Sequence, residues 1–180
     1  MEEMNFISTF PCFVPAEVKA INALIRKNLG KKEDPTQAAK NVNKVGTFFN
    51  VPIAPIMNLI HPWLYGCQNL NRQHFGHDID WQFQTDAVNY NVYGINDKYD
   101  WHIDARTETR TDIKLTCLLN LSEEPYEGGE FLVRSQEEGK IKFDSGMGLI
   151  ANPLVAHKVT PVTKGKRITL TYWALGPLWR

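Results

Sequence analysis

The sequence is poor in cysteine. Its 180 residues include three, Cys12, Cys67 and Cys117, which are odd in number and far apart. Disulfide-stapled domains and zinc knuckles need paired or closely spaced cysteines, so neither class is indicated. The pattern instead predicts reduced thiols, as in a cytoplasmic protein.

An excess of one charge sign is also lacking. Twenty Lys and Arg residues balance twenty Asp and Glu residues. A broad nucleic-acid-binding face would need a surplus of basic residues, so the balance argues against a nucleic acid partner. A local basic patch would still be compatible with it.

Long apolar runs are absent as well. The most apolar stretch, around residues 53–64, is interrupted by Pro55, Asn58, His61 and Pro62, so it could not span a bilayer. The first residues lack the basic segment followed by an apolar one that a secretory signal requires. We therefore predict a cytoplasmic location and no membrane partner.

The length and composition that are present suit a single soluble domain. Apolar residues make up 43% and charged residues 22% of the chain. Apolar positions at helical spacing, with Pro15 at the start and Gly30 at the end, predict a helix over 15–29. A second helix is predicted over much of 54–71, with a break or bend at His61-Pro62.

After about residue 80 the sequence changes to short β-rich segments separated by turns such as Gly128-Gly129 and Ser145-Gly146. The predicted strands are 81–83, 87–93, 113–121, 130–133, 140–143, 148–150, 157–162 and 167–174. Many short strands without intervening helices indicate a sandwich, jelly roll or barrel. We therefore predict one mostly β domain over 1–180, with helical support over about 1–80 and a β core over about 81–180.

A pair of metal-binding residue types occurs at His102 and Asp104. On a strand, residues i and i+2 point to the same face, so the imidazole and the carboxylate could converge. His157 is the candidate for a third ligand from a distant strand. Two histidines and one carboxylate leave room for a chelating cosubstrate and dioxygen on iron(II). By itself, however, the pair also fits a salt bridge on the surface.

Arg167 follows His157 by ten residues and opens the last β-rich segment. Its guanidinium could reach the same cavity and hold a carboxylate bidentately. A metal triad with one buried cation is what a dicarboxylate keto acid requires, because one end chelates the metal and the other needs a positive partner. The alternative is a surface charge beside Lys164 and Lys166.

From about Tyr90 to the C-terminus, the order of motifs resembles the prolyl 4-hydroxylase-like branch of the iron(II)/2-oxoglutarate oxygenases. The matching segments are Tyr93-Gly94, Tyr99, His102-x-Asp104, Leu115-Thr116, Tyr126-Glu127-Gly128-Gly129-Glu130, His157-Lys158-Val159-Thr160-Pro161-Val162, Gly165-x-Arg167 and Trp173. Within that branch the chain looks most similar to small bacterial and phage hydroxylases. The resemblance implies a double-stranded β-helix, or jelly roll, with flanking N-terminal helices.

The resemblance also implies a role for each matching residue. The residues implied to bind iron(II) are His102, Asp104 and His157. Those implied to bind 2-oxoglutarate are Arg167, Tyr93 and Thr116, although the last two also fit ordinary strand positions. Tyr99 and Trp173 match positions on the substrate side or in the core, and Arg106, just past the triad, is a further candidate substrate contact.

The implied cofactors are iron(II), with 2-oxoglutarate and dioxygen as cosubstrates and ascorbate as an auxiliary. The implied reaction is hydroxylation of an unactivated C–H bond, with a prolyl residue of a protein or peptide as the preferred substrate. Another amino-acid side chain or a small metabolite is the alternative. Two departures weaken any transfer of substrate identity. Ala151-Asn152-Pro153 stands where relatives often have Phe-Pro-Ser, and residues 105–113 are unusually polar.

Two other classes of function remain open from the residues alone. A zinc-dependent hydrolase would also use two histidines and one carboxylate with an open coordination position, but it has no use for Arg167. A 2-oxoglutarate-binding module without turnover would retain every one of these residues. The oligomeric state is not indicated by any pattern in the sequence.

Overall fold

The computed structural model describes residues 6–29, 44–81, 87–105, 113–135 and 137–177. Its helical part consists of α1 (Pro15–Lys27), a short 3-10 turn (Ala54–Ile56), α2 (Met57–Leu70) and one π-helical turn (Asn71–Phe75). Within the described ranges, no helix is long and apolar enough to cross a membrane. The remaining regular structure is β.

The strands form two sheets and one small ribbon. The large sheet has the order β1 (Ile7–Pro11), β10 (Met147–Ala151), β6 (Ile113–Asn120), β13 (Arg167–Leu175), β4 (Ala87–Tyr93) and β3 (Thr47–Pro52). The small sheet has the order β2 (Lys44–Val45), β5 (Lys98–His102), β11 (Ala156–Val159), β8 (Phe131–Arg134) and β9 (Glu138–Ile141). The ribbon pairs β12 (Val162–Lys164) with β7 (Glu127–Gly128). Antiparallel strands that pass repeatedly from one sheet to the other form a jelly roll, which confirms the predicted fold.

The period-2 alternation of the large sheet separates a hydrophobic core from a polar interior. On β6, Leu115 and Leu119 point outward and join the main hydrophobic cluster with Ile60 and Trp63 of α2. All four side chains are fully buried, and each contributes roughly 1.5–3 kcal/mol by leaving water. Thr116 lies on the opposite face of β6 from Leu115 and Leu119, where it lines a cleft between the two sheets. The helices therefore cover one face of the large sheet and leave the other free for chemistry.

Helix α1 is held by polar contacts as well as by its apolar face. The Glu17 carboxylate accepts a hydrogen bond from the backbone N–H of Val14 at 2.9 Å, which supports the first turn. Asn22 is buried and fully used, because its amide donates to the Leu121 carbonyl at 2.8 Å and accepts from the Tyr90 hydroxyl at 2.9 Å. The helix predicted over 15–29 is thereby confirmed, ending two residues earlier.

The second predicted helix is confirmed and runs unbroken through Pro62, so a break, one of the two predicted alternatives there, is wrong. A proline inside a helix removes one hydrogen bond and crowds the preceding turn. Here the helix also buries Ile60, Trp63 and Leu64 completely against the large sheet. The indole N–H of Trp63 donates to the Leu118 carbonyl at 3.0 Å. Packing of this face onto the sheet outweighs the local cost.

The N-terminal region supplies strands as well as helices, which its sequence did not predict. Strands β1 and β3 form the two edges of the large sheet, and β2 pairs with β5 of the small sheet. The later predicted strands are largely confirmed, with 87–93 matched at both ends. The strand predicted over 140–143 is found at Glu138–Ile141. Most of the strand predicted over 81–83 lies outside the described residues, and the division at about residue 80 stays a prediction.

Candidate metal and cosubstrate site

The two histidines and the aspartate predicted from the sequence meet in the cleft between the two sheets. His102 Nε2 lies 3.7 Å from Asp104 Oδ1, and His157 Nε2 lies 3.7 Å from Asp104 Oδ2. One ligand atom from each residue lies within 4.8 Å of the others. Across the described ranges of the chain, this is the one cluster of at least three such side chains that could hold a metal ion.

Strand register brings the histidines together, but it does not place the aspartate. His102 on β5 lies directly opposite His157 on β11. Strand β5 ends at His102, so Asp104 lies beyond it and not on the strand that the His-x-Asp spacing suggested. The backbone N–H groups of Asp104 and Ala105 donate instead to the Pro153 carbonyl, at 2.9 and 3.2 Å. The segment 151–153, where the sequence departs from the resembled family, therefore helps to hold the backbone of Asp104.

Each histidine is oriented through its second ring nitrogen. Nδ1 of His102 lies 2.7 Å from the Asp100 carbonyl, and Nδ1 of His157 lies 2.9 Å from the Val155 carbonyl. A carbonyl oxygen can only accept, so Nδ1 carries the proton in both rings. The Nε2 lone pairs are then free for a metal ion, which is the usual arrangement of metal-binding histidines.

The cleft also keeps His102 neutral. Burial lowers the pKa of His102 to about 4, and the neighbouring His157 adds to the effect, while Asp104 acts in the opposite direction. Because only a neutral imidazole can bind a metal ion, this depression keeps the ligand available well below neutral pH.

We expect the metal-free protein to lose stability as the pH falls from about 6.5 to about 4, the unfolded and folded pKa values of His102. In this window the unfolded chain binds a proton that the folded protein does not, so the free energy of unfolding rises with pH there. Thermal unfolding measured across the window would show a shallower pH dependence in His102→Gln. Equal slopes in the two proteins would contradict the prediction.

A buried cation lies in the same cleft as the triad. Arg167 is 2% exposed and stands at the start of β13, opposite Tyr93 of β4. Its guanidinium carbon lies 5.5 Å from the centre of the Tyr93 ring and 5.9 Å from that of Phe143. Burial also raises the pKa of Tyr93, so its phenol stays protonated. Arg167 is therefore an interior charge and not the surface charge that the alternative interpretation supposed.

Polar atoms without a partner show that the cleft suits a polar ligand. Among the described residues, the buried side-chain N and O atoms with no hydrogen-bond partner are Asn91 Oδ1, Arg167 Nε and Trp173 Nε1. All three residues line the cleft that contains the triad. An unpaired buried polar atom is costly, so it calls for an unplaced ligand, ion or water. Donors on Arg167 and Trp173 fit an acceptor-rich carboxylate ligand in this position.

Comparison with known proteins agrees with this chemistry. Residues 88–175 match the family model described as the 2OG-Fe(II) oxygenase superfamily, where 2OG stands for 2-oxoglutarate. The matched range includes all three members of the triad and Arg167. Over these 88 of its 180 residues, the chain resembles members of this superfamily. Proteins named as hydroxylases and as prolyl hydroxylases are among its relatives and structural neighbours, in agreement with the resemblance to the prolyl hydroxylase-like branch.

The curated relatives that match are hydroxylases of bacteria. A PKHD-type hydroxylase of Alteromonas mediterranea is 36% identical over 93 residues, which is 47% of this chain and 41% of that protein. One of Shewanella frigidimarina is 31% identical over 93 residues, with the same coverage. The match thus spans about two fifths of the length of these relatives.

Solved structures share the fold over almost the whole chain. The Pseudomonas putida prolyl-4-hydroxylase superposes with a TM-score of 0.71 at 15% identity, covering 96% of this chain and 93% of that one. A prolyl hydroxylase from Trichoplax adhaerens, solved with a peptide fragment of hypoxia inducible factor, gives 0.72 at 14% identity, covering 95% and 84%. At these identities the likeness shows a common fold.

The structure places eight of the nine predicted site residues around one cleft. They are His102, Asp104, His157, Arg167, Tyr93, Thr116, Tyr99 and Trp173. The Tyr99 ring stacks on the His102 ring with centres 3.4 Å apart, so it packs on a triad member. The Thr116 hydroxyl donates to Asp104 Oδ2 at 2.5 Å. The ninth residue, Arg106, lies outside the described residues.

Several cleft residues were missed by the sequence interpretation. Asn91, Thr169 and Thr171 line the cleft, and the Asn91 amide donates to the Thr171 hydroxyl at 2.9 Å. Period-2 spacing could have found them, since Asn91 precedes Tyr93 by two residues and the two threonines alternate with the core residues that follow Arg167. Lys44 also lines the cleft. No local signal marks it, because it arrives from the N-terminal region through pairing with β5.

Proposed function

We propose that this protein is an iron(II)- and 2-oxoglutarate-dependent dioxygenase that hydroxylates an unactivated C–H bond. The observation that carries the proposal is the common cleft of the His102, Asp104 and His157 triad and the buried Arg167. The match of residues 88–175 to the 2OG-Fe(II) oxygenase superfamily model supports it. A zinc hydrolase would gain nothing from a buried arginine in this position.

In the proposed site, the triad would hold iron(II) and Arg167 would hold the distal carboxylate of 2-oxoglutarate. When bound, the iron supplies the activation of dioxygen, which is coupled to conversion of 2-oxoglutarate to succinate and carbon dioxide. A buried guanidinium pairs with a carboxylate through two parallel hydrogen bonds, which fixes the orientation of the keto acid. Its other end is thereby directed toward the triad.

Apolar side chains would keep water away from this chemistry. Leu118, Phe131 and Val159 are buried and line the cleft together with Tyr93. Excluding water strengthens the electrostatic interactions within the site and protects reactive species from side reactions. Trp173, whose indole N–H is buried without a partner, would offer a donor near the triad, since it lies opposite Thr116 in the register.

The proposed substrate is a prolyl residue of a protein or peptide. Support comes from the prolyl hydroxylase structures that share the fold, one of them solved with a peptide. Another amino-acid side chain or a small metabolite is the alternative. Ascorbate is proposed as an auxiliary on the strength of the resemblance alone.

The test is turnover by the iron-loaded protein. We expect succinate to form from 2-oxoglutarate, and proline-containing peptides to gain the mass of one oxygen atom. Peptides in which proline is replaced by alanine are the matched controls, and reactions with and without ascorbate test the auxiliary. Modification of a free metabolite and not of any peptide would favour the alternative substrate. Binding of 2-oxoglutarate with no turnover on any substrate would favour the non-catalytic module.

Gly129 supports the position of Arg167 and gives a further prediction. Its φ of +59° favours glycine, and an added Cβ would lie 3.0 Å from Arg167 Cδ and 3.1 Å from Val162 Cγ2. We expect Gly129→Ala to displace the guanidinium and weaken 2-oxoglutarate binding by roughly tenfold, since small misplacements in such sites are costly. Calorimetric titration of 2-oxoglutarate into the manganese(II)-loaded protein would measure this.

The matched control is Gly139→Ala on β9. A Cβ at Gly139 would meet only Val133 Cγ2, at 4.0 Å, which is an ordinary contact. We expect this variant to bind 2-oxoglutarate as the wild type does. If Gly129→Ala also bound it with unchanged affinity, the supporting role would be wrong.

A further inference from the structure

The three members of the triad differ in how their side chains are oriented. Each histidine is on a strand of the small sheet, and its ring is fixed by a carbonyl of the residue two positions earlier. Asp104 lies past the end of its strand, so no ladder of backbone hydrogen bonds fixes the direction of its side chain. Its backbone is held by the Pro153 carbonyl, but this contact leaves the carboxylate free to rotate.

The carboxylate is fixed from the opposite sheet by Thr116. This residue is 1% exposed on β6 of the large sheet, where it pairs with Ala151 on one side and Trp173 on the other. Its hydroxyl donates to Asp104 Oδ2 at 2.5 Å. Because the backbone of Thr116 is locked between two strands, its hydroxyl is a rigid donor. Bonds of a hydroxyl to a carboxylate are short and about twice as strong as neutral ones.

A threonine hydroxyl has a single proton to donate. When that proton is given to Asp104 Oδ2, it is not available for a carboxylate of the cosubstrate, which is itself only an acceptor. The contact with Asp104 therefore competes with the cosubstrate-binding role that the resemblance implied for Thr116. It also leaves Oδ1 of Asp104 without a hydrogen bond from Thr116.

We infer that Thr116 is a positioning residue for the metal ion, acting through Asp104, and not a cosubstrate contact. Its hydroxyl holds Oδ2 and presents Oδ1 to the metal. The inference rests on the proposed function in one respect, namely that the triad is the metal site. Partners behind the ligands of a metal site typically contribute 10–100-fold to affinity.

The test is manganese(II) binding without 2-oxoglutarate, followed by the loss of the electron paramagnetic resonance signal of the free ion. We expect Thr116→Val to weaken binding by about 10–100-fold, and Thr116→Ser, which keeps the hydroxyl, to restore most of the affinity. Thr171→Val is the matched control, since this buried threonine lines the same cleft and bonds to Asn91. Its manganese affinity should equal that of the wild type.

A second titration separates the two roles. With manganese(II) at saturation, Thr116→Val should bind 2-oxoglutarate with nearly unchanged affinity. Unchanged metal affinity with a loss of 2-oxoglutarate affinity would overturn the inference and restore the cosubstrate role. If Thr116→Val did not fold, as judged by circular dichroism, Thr116→Ala would serve in its place. Absence of metal binding by the wild-type protein would refute the proposed function itself. Equal metal binding by the wild type and Thr116→Val would refute only the role of Thr116.

Discussion

Replacing Arg167 with alanine is expected to weaken 2-oxoglutarate binding by about thirtyfold or more. The guanidinium is almost completely buried in the cleft, so its removal would leave the distal carboxylate of the ligand buried without its charged partner. Loss of one member of such a pair costs about 2–5 kcal/mol, and 1.4 kcal/mol is a factor of ten. Anaerobic titration of 2-oxoglutarate into the iron(II)-loaded protein, followed by the visible charge-transfer band, would measure the effect.

Two variants sharpen the measurement at Arg167. Arg167→Lys keeps the charge but loses the planar fork, so its affinity should lie between those of the wild type and Arg167→Ala. Lys166→Ala removes the neighbouring cation, which is exposed, and should leave the affinity unchanged. Metal binding without 2-oxoglutarate should be retained in all three. Equal 2-oxoglutarate affinity of Arg167→Ala and the wild type would refute the cosubstrate site and favour the zinc hydrolase interpretation.

Removal of a triad member should have the second large effect. We expect the charge-transfer band to require both iron(II) and 2-oxoglutarate, and to disappear in His102→Ala. Partners of metal ligands already contribute 10–100-fold to affinity, so loss of a ligand should cost at least about a hundredfold. Asp104→Ala should also bind the metal more weakly, and the size of the loss measures how much the carboxylate contributes to metal affinity.

The control for the triad is a histidine elsewhere in the molecule. His61 is exposed on α2 and stacks on Tyr65, so His61→Ala should form the band as the wild type does. A band that survived in His102→Ala would place the iron elsewhere. Tight zinc binding by the wild type, with no charge-transfer band after addition of iron(II) and 2-oxoglutarate, would refute the oxygenase proposal.

The triad could be predicted because metal binding depends on a few residue types in a fixed order. His102, Asp104 and His157 were identified from two short motifs, and Arg167 from its place after the second. The reason given for the spacing was only partly right. His102 lies on a strand, as expected, but Asp104 does not. Its backbone is held by the Pro153 carbonyl and its carboxylate by the Thr116 hydroxyl, and neither residue is a neighbour of Asp104 in the sequence.

The strands of the core were predictable for a similar reason. Alternation of polar and apolar residues can be read from neighbours along the chain. It is present in β4, β6 and β13 because one face of each strand packs in the hydrophobic core and the other lines the cleft. Strand β3 was missed, since its residues gain their environment by pairing with β4 along six positions. The predicted break at Pro62 was wrong because the local cost of proline is visible in a sequence, whereas packing of α2 on the sheet is not.

By itself, the sequence determined the mostly β class and the identity of the triad and of the buried cation. These depend on residue type and on a period of two, which neighbours along the chain fix. The tertiary structure alone decided that Asp104 is held from the opposite sheet by Thr116, that Asn91 and Lys44 join the cleft, and that His102 stays neutral. Hydrogen bonds and desolvation depend on distances between residues far apart in the chain, and those distances exist only once the two sheets face each other.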